Sequence, residues 1–223
     1  MLQGIYAVSI RSLANDKARL MGVLDAGQRE RARAFRREDD VLRSLAGGLL
    51  ARYIAGGKAV KYAEKGKPYV AGGPFFNVSH SGDYAVMVSG TVPVGIDIEH
   101  TGNPRGDRFA SLAKAFFHPD ELRYANESPG PRRFYEIWTQ KEAFVKMKGD
   151  GLGIGLKTFS VLNLGGRGGA GSVDQPAYTR LFWDLDPYII AVCSVEPVAV
   201  EAVTVLGADV FPQTREGSAG LCN

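Results

Sequence analysis

The sequence has few cysteines and no long apolar run. Two cysteines among 223 residues are too few for a disulfide framework or a cysteine-based metal cluster, and they indicate a reducing compartment. No apolar stretch reaches the length that crosses a bilayer. The amino terminus lacks the basic leader and apolar core of a signal peptide. We therefore expect a cytoplasmic protein with no membrane-spanning segment.

The sequence also lacks a strong excess of either charge. Its 27 Lys and Arg against 24 Asp and Glu give a formal net charge of +3, far below the basic density of a typical nucleic-acid binder. A mild positive excess suits an acidic ligand or an acidic protein partner. A hydrophobic content of 45% is typical of a globular protein, so the chain is able to bury a substantial core.

Residues 94–99 alternate apolar and other side chains as in a β-strand. Successive strand side chains point to opposite faces, so Asp97 and Glu99 share one face. Two adjacent carboxylates raise each other's pKa unless a cation neutralises them, and Mg²⁺ prefers such oxygen ligands. A solvated pair of acids on a half-buried strand is the ordinary alternative, and the strand alone leaves both interpretations open.

A third carboxylate lies on a predicted helix over Arg132–Lys148, which ends before a glycine. Glu142 and Lys146 are one helical turn apart, a spacing that is usually a solvated ion pair worth a few tenths of a kcal/mol. Glu142, however, falls at the edge of the apolar stripe that contains Trp138. A carboxylate there loses solvation, so this helix also fits a metal held jointly with the acidic strand.

The run 75–78 is strand-like, and the polar residues Ser79 and His80 follow it. We interpret these two residues as part of a tight turn before a second strand at 84–89. A lone histidine in a turn more often satisfies local hydrogen bonds than binds a ligand. An imidazole with a pKa near neutrality also suits a phosphate contact.

A basic face is predicted in the segment 25–55, where we expect two helices. Five arginines lie between Arg29 and Arg37. Such a face is solvated in most proteins and otherwise collects phosphate.

A weak internal repeat suggests that an α/β half is duplicated. Segments 84–93 and 188–197 have equal length, and each opens with Tyr and ends in Pro before another apolar run. In such an architecture the cleft between the halves is the natural ligand site. The predicted parts are an N-terminal half at 1–100, a linker at 101–108, a C-terminal half at 109–210 and a flexible tail at 211–223.

The remaining C-terminal elements are predicted from composition and alternation. We expect strands at 159–164, 178–183, 188–194 and 198–206 and a flexible glycine-rich loop at 165–172. The loop lacks the Gly-Lys-Ser/Thr ending of a P-loop, so we assign it no phosphate role.

Four blocks, in order, closely resemble the signature blocks of the Sfp-type 4′-phosphopantetheinyl transferases, and they cover residues 66–152. The blocks are Lys67-Pro68, Phe76-Asn77-Val78-Ser79-His80-Ser81-Gly82, Gly95-Ile96-Asp97-Ile98-Glu99, and Trp138-Thr139-x-Lys141-Glu142-Ala143-x-x-Lys146 followed by Gly149-x-Gly151-Leu152.

The resemblance implies a pseudo-dimeric α+β enzyme with its active site in the cleft between two similar halves. Such an enzyme moves 4′-phosphopantetheine from coenzyme A to a serine of an apo acyl or peptidyl carrier protein and releases 3′,5′-ADP. This is activity of the holo-[acyl-carrier-protein] synthase type, and it serves fatty-acid, polyketide or nonribosomal peptide biosynthesis. The resemblance also implies a Mg²⁺ cofactor and a monomer.

Carried over by position, the resemblance also assigns roles to individual residues. The implied Mg²⁺ ligands are Asp97, Glu99 and Glu142. The implied catalytic residues are Glu142, as base directly or through a metal-bound water, and Lys146, which contacts the phosphates. The implied coenzyme A contacts are Arg31, Arg43, Lys67, Ser79, His80, Thr101 and Lys146, and Gln28 stands where some relatives have a basic residue.

Two other functions remain open. A Mg²⁺-dependent nucleotide pyrophosphatase acting on coenzyme A-like substrates also uses clustered carboxylates and basic residues, with water in place of serine. A carrier-protein-binding module without catalytic activity tolerates loss of the acids, and the presence of all three argues against it.

Overall fold

The computed structural model describes residues 1–102, 108–128, 130–149, 155–164 and 177–211, and these form an α+β fold. The strands are β1 Leu2–Ser9, β2 Lys61–Tyr62, β3 Pro68–Tyr69, β4 Phe75–Ser81, β5 Tyr84–Gly90, β6 Val94–His100, β7 Tyr178–Phe182, β8 Tyr188–Ser194 and β9 Thr204–Val205. The helices are α1 Ile10–Leu13, α2 Lys17–Val23, α3 Ala26–Arg33, α4 Glu38–Ala55, α5 Arg108–Phe116, α6 Pro119–Asn126 and α7 Arg132–Lys148. Short 3₁₀ helices lie at Ala14–Asp16, Leu156–Thr158, Val161–Asn163 and Ala208–Val210.

The first sheet has the strand order β4-β5-β1-β9, and β2 and β3 form a separate two-stranded hairpin. On one face, alternate residues such as Val8 and Met87 pack against α4 in an apolar cluster. On the other face, Ile5 and Val88 belong to a different cluster that also contains Ile96. Alternation along β5, and along β1 after the register shift between Leu2 and Gly4, therefore covers the two faces of this sheet with different partners.

The second sheet has the order β6-β8-β7, with all pairs antiparallel. Its inner face shares the apolar cluster with the first sheet, so the two sheets pack face to face. Its outer face is covered by α7 through a third cluster that includes Phe144 and Ile189. Helix α7 lies very close to β6, because a Cβ atom on Gly95 would stand 2.0 Å from the carbonyl oxygen of Ala143. Only glycine fits there.

Side chains, in addition to backbone packing, join the two sheets where β4 lies beside β6. The Ile96 amide donates to Asn77 Oδ1 at 2.9 Å, and the His100 amide donates to Ser81 Oγ at 3.2 Å. Between these two bonds, Ser79 faces Asp97. The alternation that sends Phe76 into the core of the first sheet thus sends polar residues of β4 toward the acidic strand.

The structure confirms the α+β class and the predicted helix Arg132–Lys148, and it corrects three other predictions. The run 159–164 contains a 3₁₀ turn and no strand, because buried side chains of α6 and α7 bond its backbone groups. The segment 198–206 forms a strand only at Thr204–Val205. Ser79 and His80 are not in a turn, since β4 continues to Ser81 in register with β5.

Some predicted features fall outside the described residues. They are most of the linker, the motif residues Gly151 and Leu152, the glycine-rich loop and nearly all of the tail. The predicted boundary between halves remains a prediction, although β6, which ends the first, pairs along its length with β8 of the second. None of the helices in the described ranges is long and apolar enough to cross a membrane.

Candidate active site

Asp97 on β6 is at the centre of a buried polar cluster. Its side chain is 7% exposed. Its Oδ1 atom accepts a hydrogen bond from Ser79 Oγ at 2.8 Å and forms an ion pair with Lys146 Nζ at 2.5 Å. Lys146 also donates to Ser79 Oγ at 2.8 Å. The other oxygen, Oδ2, is buried without a hydrogen-bond partner among the described residues. A carboxylate oxygen in that state is costly unless a further cation or donor reaches it.

Glu142 lies one helical turn before Lys146 and close enough to Asp97 to feel its charge. Burial raises the pKa of Glu142, the negative charge of Asp97 raises it further, and Lys146 opposes both effects. A carboxylate with a raised pKa is a better proton acceptor than an ordinary glutamate. The same two acids would also be relieved by a divalent cation between them.

Glu99 is on the same face of β6 as Asp97, and its Oε1 atom accepts a hydrogen bond from Trp138 Nε1 at 3.1 Å. In the described parts of the chain, no three His, Cys, Asp or Glu side chains form a group that could hold a metal ion as they lie. The fit to Mg²⁺ therefore rests on the unpaired oxygen of Asp97 and on Glu142. Both are the hard oxygen donors that Mg²⁺ prefers.

A positively charged corner lies where β4 meets α4. Arg43 donates to the carbonyl of Gly82 at 2.7 Å and to Asp40 Oδ1 at 2.6 Å. His80 is exposed to solvent, and the protein atoms around its ring lower its pKa, as do the charges of Lys146 and Arg43. A ring held among cations gains most from a bound anion, which would restore its proton affinity.

Lys67 is anchored to the backbone at the C-terminal end of α7. Its ammonium donates to the carbonyl of Lys146 at 2.6 Å and to that of Met147 at 3.3 Å, and burial lowers its pKa to about 8. A cation there complements the negative end of the helix. Beside it lies an apolar cavity of about 560 Å³ whose walls include Phe75 and Gly149.

Three residues singled out from the sequence lie apart from the Asp97 cluster. The Arg31 guanidinium stands over the Tyr62 ring at 3.5 Å. Thr101 donates through its amide and its hydroxyl to the carbonyl of Pro187, at 2.9 and 2.7 Å. Gln28 forms a capping box with Asp25 at the start of α3, and its Nε2 atom is buried with no hydrogen-bond partner in the described residues.

Sequence reasoning missed the role of Lys141. This lysine is completely buried and paired at 2.8 Å with an equally buried Glu121 of α6. It also donates to the carbonyls of Leu156 and Phe159 at 2.7 and 2.8 Å. The available signal was its helical position, because residue 141 shares the apolar stripe of Trp138, where a charge requires a buried partner.

The chain is similar in sequence to known proteins. The model of the 4′-phosphopantetheinyl transferase superfamily matches residues 93–193, which contain β6, α7 and all but the last residue of β8. The 4′-phosphopantetheinyl transferase Sfp of Bacillus subtilis (strain 168) is 32% identical over 223 residues, covering 92% of this chain and 96% of that protein. The transferase psf-1 of Bacillus pumilus is 33% identical and covers 91% and 94%.

A further 4′-phosphopantetheinyl transferase of Bacillus subtilis is 34% identical over 200 residues, covering 82% of this chain and 88% of the relative. These similarities extend over nearly the whole length of the proteins. The chain therefore belongs to the Sfp-type 4′-phosphopantetheinyl transferases, enzymes that transfer 4′-phosphopantetheine to carrier proteins.

Proposed function

We propose that the cluster around Asp97 is the transfer site, where coenzyme A donates its 4′-phosphopantetheine to a serine of an acyl or peptidyl carrier protein. The observation that carries this proposal is the juxtaposition of Lys146, the unpaired oxygen of Asp97 and a Glu142 with raised pKa. Cation, anion and proton acceptor are the three groups that phosphoryl transfer to a hydroxyl requires.

Asp97, Glu99 and Glu142 would hold a Mg²⁺ ion in this proposal. When bound, the ion would neutralise charge on the pyrophosphate of coenzyme A and so permit attack by an oxygen nucleophile. The unpaired oxygen of Asp97 is the donor already oriented for this purpose. The hydrogen bond from Trp138 Nε1 would orient the Glu99 carboxylate in this set of ligands.

The chain's own residues supply the remaining chemistry. The carrier serine oxygen forms a bond to the phosphorus that carries pantetheine, the pyrophosphate P–O bond breaks, and 3′,5′-ADP leaves. Glu142 accepts the proton of the serine hydroxyl. Lys146 stabilises the negative charge that spreads over the phosphoryl oxygens. Its bond to Ser79 fixes the direction of its ammonium group.

The nucleotide end of coenzyme A is proposed to lie along the positively charged corner. Arg43 and His80 would contact its 3′-phosphate, because both carry N–H donors at this corner and the charges of Lys146 and Arg43 around His80 favour a bound anion. Ser79 belongs to the same end in this proposal. Arg31, Lys67 and Thr101 would line the remainder of the nucleotide path.

The two-half architecture is also part of the proposal. Each sheet has one long covering helix, α4 or α7, and the central strands β5 and β8 have the same length. These correspondences support a pseudo-dimer whose cleft follows the joint between β4 and β6. We propose that the chain acts as a monomer in the cytoplasm, with a coenzyme and a carrier as partners and without nucleic acid.

Two incubations separate this function from its two alternatives. The protein is mixed with coenzyme A and Mg²⁺, with and without an apo carrier protein, and products are followed by mass spectrometry. A transferase releases 3′,5′-ADP only when carrier is present and adds one phosphopantetheine mass to it. A pyrophosphatase consumes coenzyme A alone, and a binding module consumes nothing. Consumption of coenzyme A at the same rate without carrier would contradict the proposal.

A further inference from the structure

A two-residue turn, Gly82–Asp83, connects β4 to β5 next to the proposed 3′-phosphate contacts. His80 lies two residues before it, and the Gly82 carbonyl accepts the hydrogen bond from Arg43. The turn therefore connects the two side chains, because the strand that carries His80 leads into it and its carbonyl binds Arg43. A contact that fixes the turn constrains both.

The turn is located from the second sheet by Tyr188, the first residue of β8. Tyr188 is 6% exposed, and its hydroxyl oxygen accepts a hydrogen bond from the Asp83 amide at 2.9 Å. The contact is close, because a Cβ atom on Gly82 would stand 2.4 Å from that hydroxyl oxygen. Gly82 also has φ of 52°, which glycine adopts without strain.

The Tyr188 ring is fixed independently of its hydroxyl group. It packs edge-to-face against Tyr84 at 5.1 Å and against His100 at 4.7 Å. Its neighbour Pro187 accepts both hydrogen bonds from Thr101. Replacing Tyr188 by phenylalanine would keep this packing and remove only the acceptor for Asp83.

We propose that Tyr188 is a positioning residue for recognition of the coenzyme's 3′-phosphate, acting through the Gly82–Asp83 turn on His80 and Arg43. This inference rests on the proposed function, which places the 3′-phosphate at those two side chains. Other contacts hold the first-sheet side of the turn: the Ile10 amide donates to the Asp83 carbonyl at 2.8 Å. Tyr188 supplies the contact from the opposite sheet.

The test compares coenzyme A with dephospho-coenzyme A, which lacks the 3′-phosphate. In Tyr188→Phe, KM for coenzyme A should rise about 3- to 10-fold, the effect of one lost neutral hydrogen bond. KM for dephospho-coenzyme A and kcat for both substrates should change less than about twofold, because the missing contact acts only on the phosphate site. Purely structural damage would raise both KM values together.

Tyr84→Phe is the matched control. Tyr84 belongs to the same aromatic group, but its hydroxyl makes no hydrogen bond to any residue in the described ranges. Its removal should leave both KM values unchanged. In a His80→Ala background, Tyr188→Phe should alter the preference for coenzyme A less than it does in the wild type, because only its effect on Arg43 remains.

The outcomes separate the inference from the function on which it rests. One outcome is that His80→Ala raises KM for coenzyme A more than KM for dephospho-coenzyme A while Tyr188→Phe raises both KM values equally. That combination overturns the inference alone. An effect of Tyr84→Phe equal to that of Tyr188→Phe also overturns it. If His80→Ala itself weakens both substrates equally, the placement of the 3′-phosphate is wrong and the inference is wrong with it.

Discussion

Two of the lysines on helix α7, Lys141 and Lys146, have completely different surroundings. Lys141 and its partner Glu121 are both 0% exposed, and two backbone carbonyls bind the same ammonium. Lys146 is 28% exposed, and its partner Asp97 keeps one buried oxygen without a partner. The first pair uses its donors and acceptors within the protein, whereas the second leaves capacity for a ligand.

The Lys141–Glu121 ion pair is therefore structural, whereas the Lys146–Asp97 ion pair belongs to the proposed active site. Burial lowers the pKa of Lys141, while Glu121 opposes that shift and the carbonyls satisfy the ammonium. Glu121 in turn accepts the Val161 amide at 2.8 Å, so the pair holds α6, α7 and the 3₁₀ segment together. Glu142 directly follows Lys141 but belongs with Lys146 and Asp97, because the charge of Asp97 helps to raise its pKa. Four predictions test this division.

The largest effect is expected for Glu142→Gln, which should reduce transfer about 10²- to 10⁴-fold while the protein stays folded. The substitution removes the proton acceptor and a proposed metal ligand at nearly constant side-chain size. Turnover is measured at saturating Mg²⁺ and carrier, and circular dichroism checks the fold. Wild-type turnover would contradict both roles of Glu142.

Lys141→Met should lower the free energy of unfolding by about 3–5 kcal/mol, because it leaves Glu121 buried and unpaired. Urea unfolding measures this loss. Lys146→Met is the matched control on the same helix, and it should cost less stability than Lys141→Met, because Lys146 is 28% exposed, while abolishing most turnover. The double variant Lys141→Met/Glu121→Leu should recover much of the lost stability. Equal destabilisation by both single variants would remove the distinction between the two lysines.

Mg²⁺ and coenzyme A should raise the melting temperature together by more than the sum of their separate effects. Ligands at about 100 times their Kd stabilise by about 2.7 kcal/mol, or roughly 5–10 °C for a protein of this size. Asp97→Asn should remove the synergy, since it alters the carboxylate with the unpaired oxygen. Full synergy in both Asp97→Asn and Glu99→Gln would place the metal elsewhere.

The smallest effect concerns the acid stability of the unliganded protein. The pKa of His80 in the folded state lies below its ordinary value of 6.5. As the pH falls below 6.5, the unfolded chain therefore binds more protons at this residue than the folded protein does. Stability should therefore decline as pH drops from about 6.5 toward the lowered pKa. The protein atoms around the ring lower the pKa of His80 most, the charges of Lys146 and Arg43 lower it further, and Asp40 raises it.

Melting temperatures of wild type and His80→Gln across this pH range provide the measurement. The wild type should lose slightly more on acidification than the variant. Parallel curves would show that His80 does not titrate differently in the folded protein.

Local patterns predicted the elements on which the site is built. The apolar stripe and the terminal glycine defined α7, and alternation correctly placed Asp97 and Glu99 on one face of β6. Alternation predicted a strand wrongly where side chains, in place of a neighbouring strand, bind the backbone groups. The segment 159–164 reads as a strand, but Lys141 and Glu121 take bonds that a neighbouring strand would supply.

Long-range pairing explains what the sequence did not reveal about the site. The motif containing Lys141 gave no hint that its partner is Glu121, twenty positions earlier on another helix. The contact between Tyr188 and Asp83 spans 105 positions and involves a backbone amide, which has no signature in side-chain patterns. Such contacts depend on tertiary packing, and local propensity contains no information about them.

The glycine at position 95 sets how closely β6 and α7 approach each other. The strand and helix that carry Asp97 and Lys146 approach each other backbone to backbone, with the Ala143 carbonyl and the Met147 amide where a Cβ atom would be. The spacing of the two elements is therefore set by peptide groups, which every sequence shares. Any side chain larger than glycine at position 95 would therefore push the strand and the helix apart and separate Asp97 from Lys146.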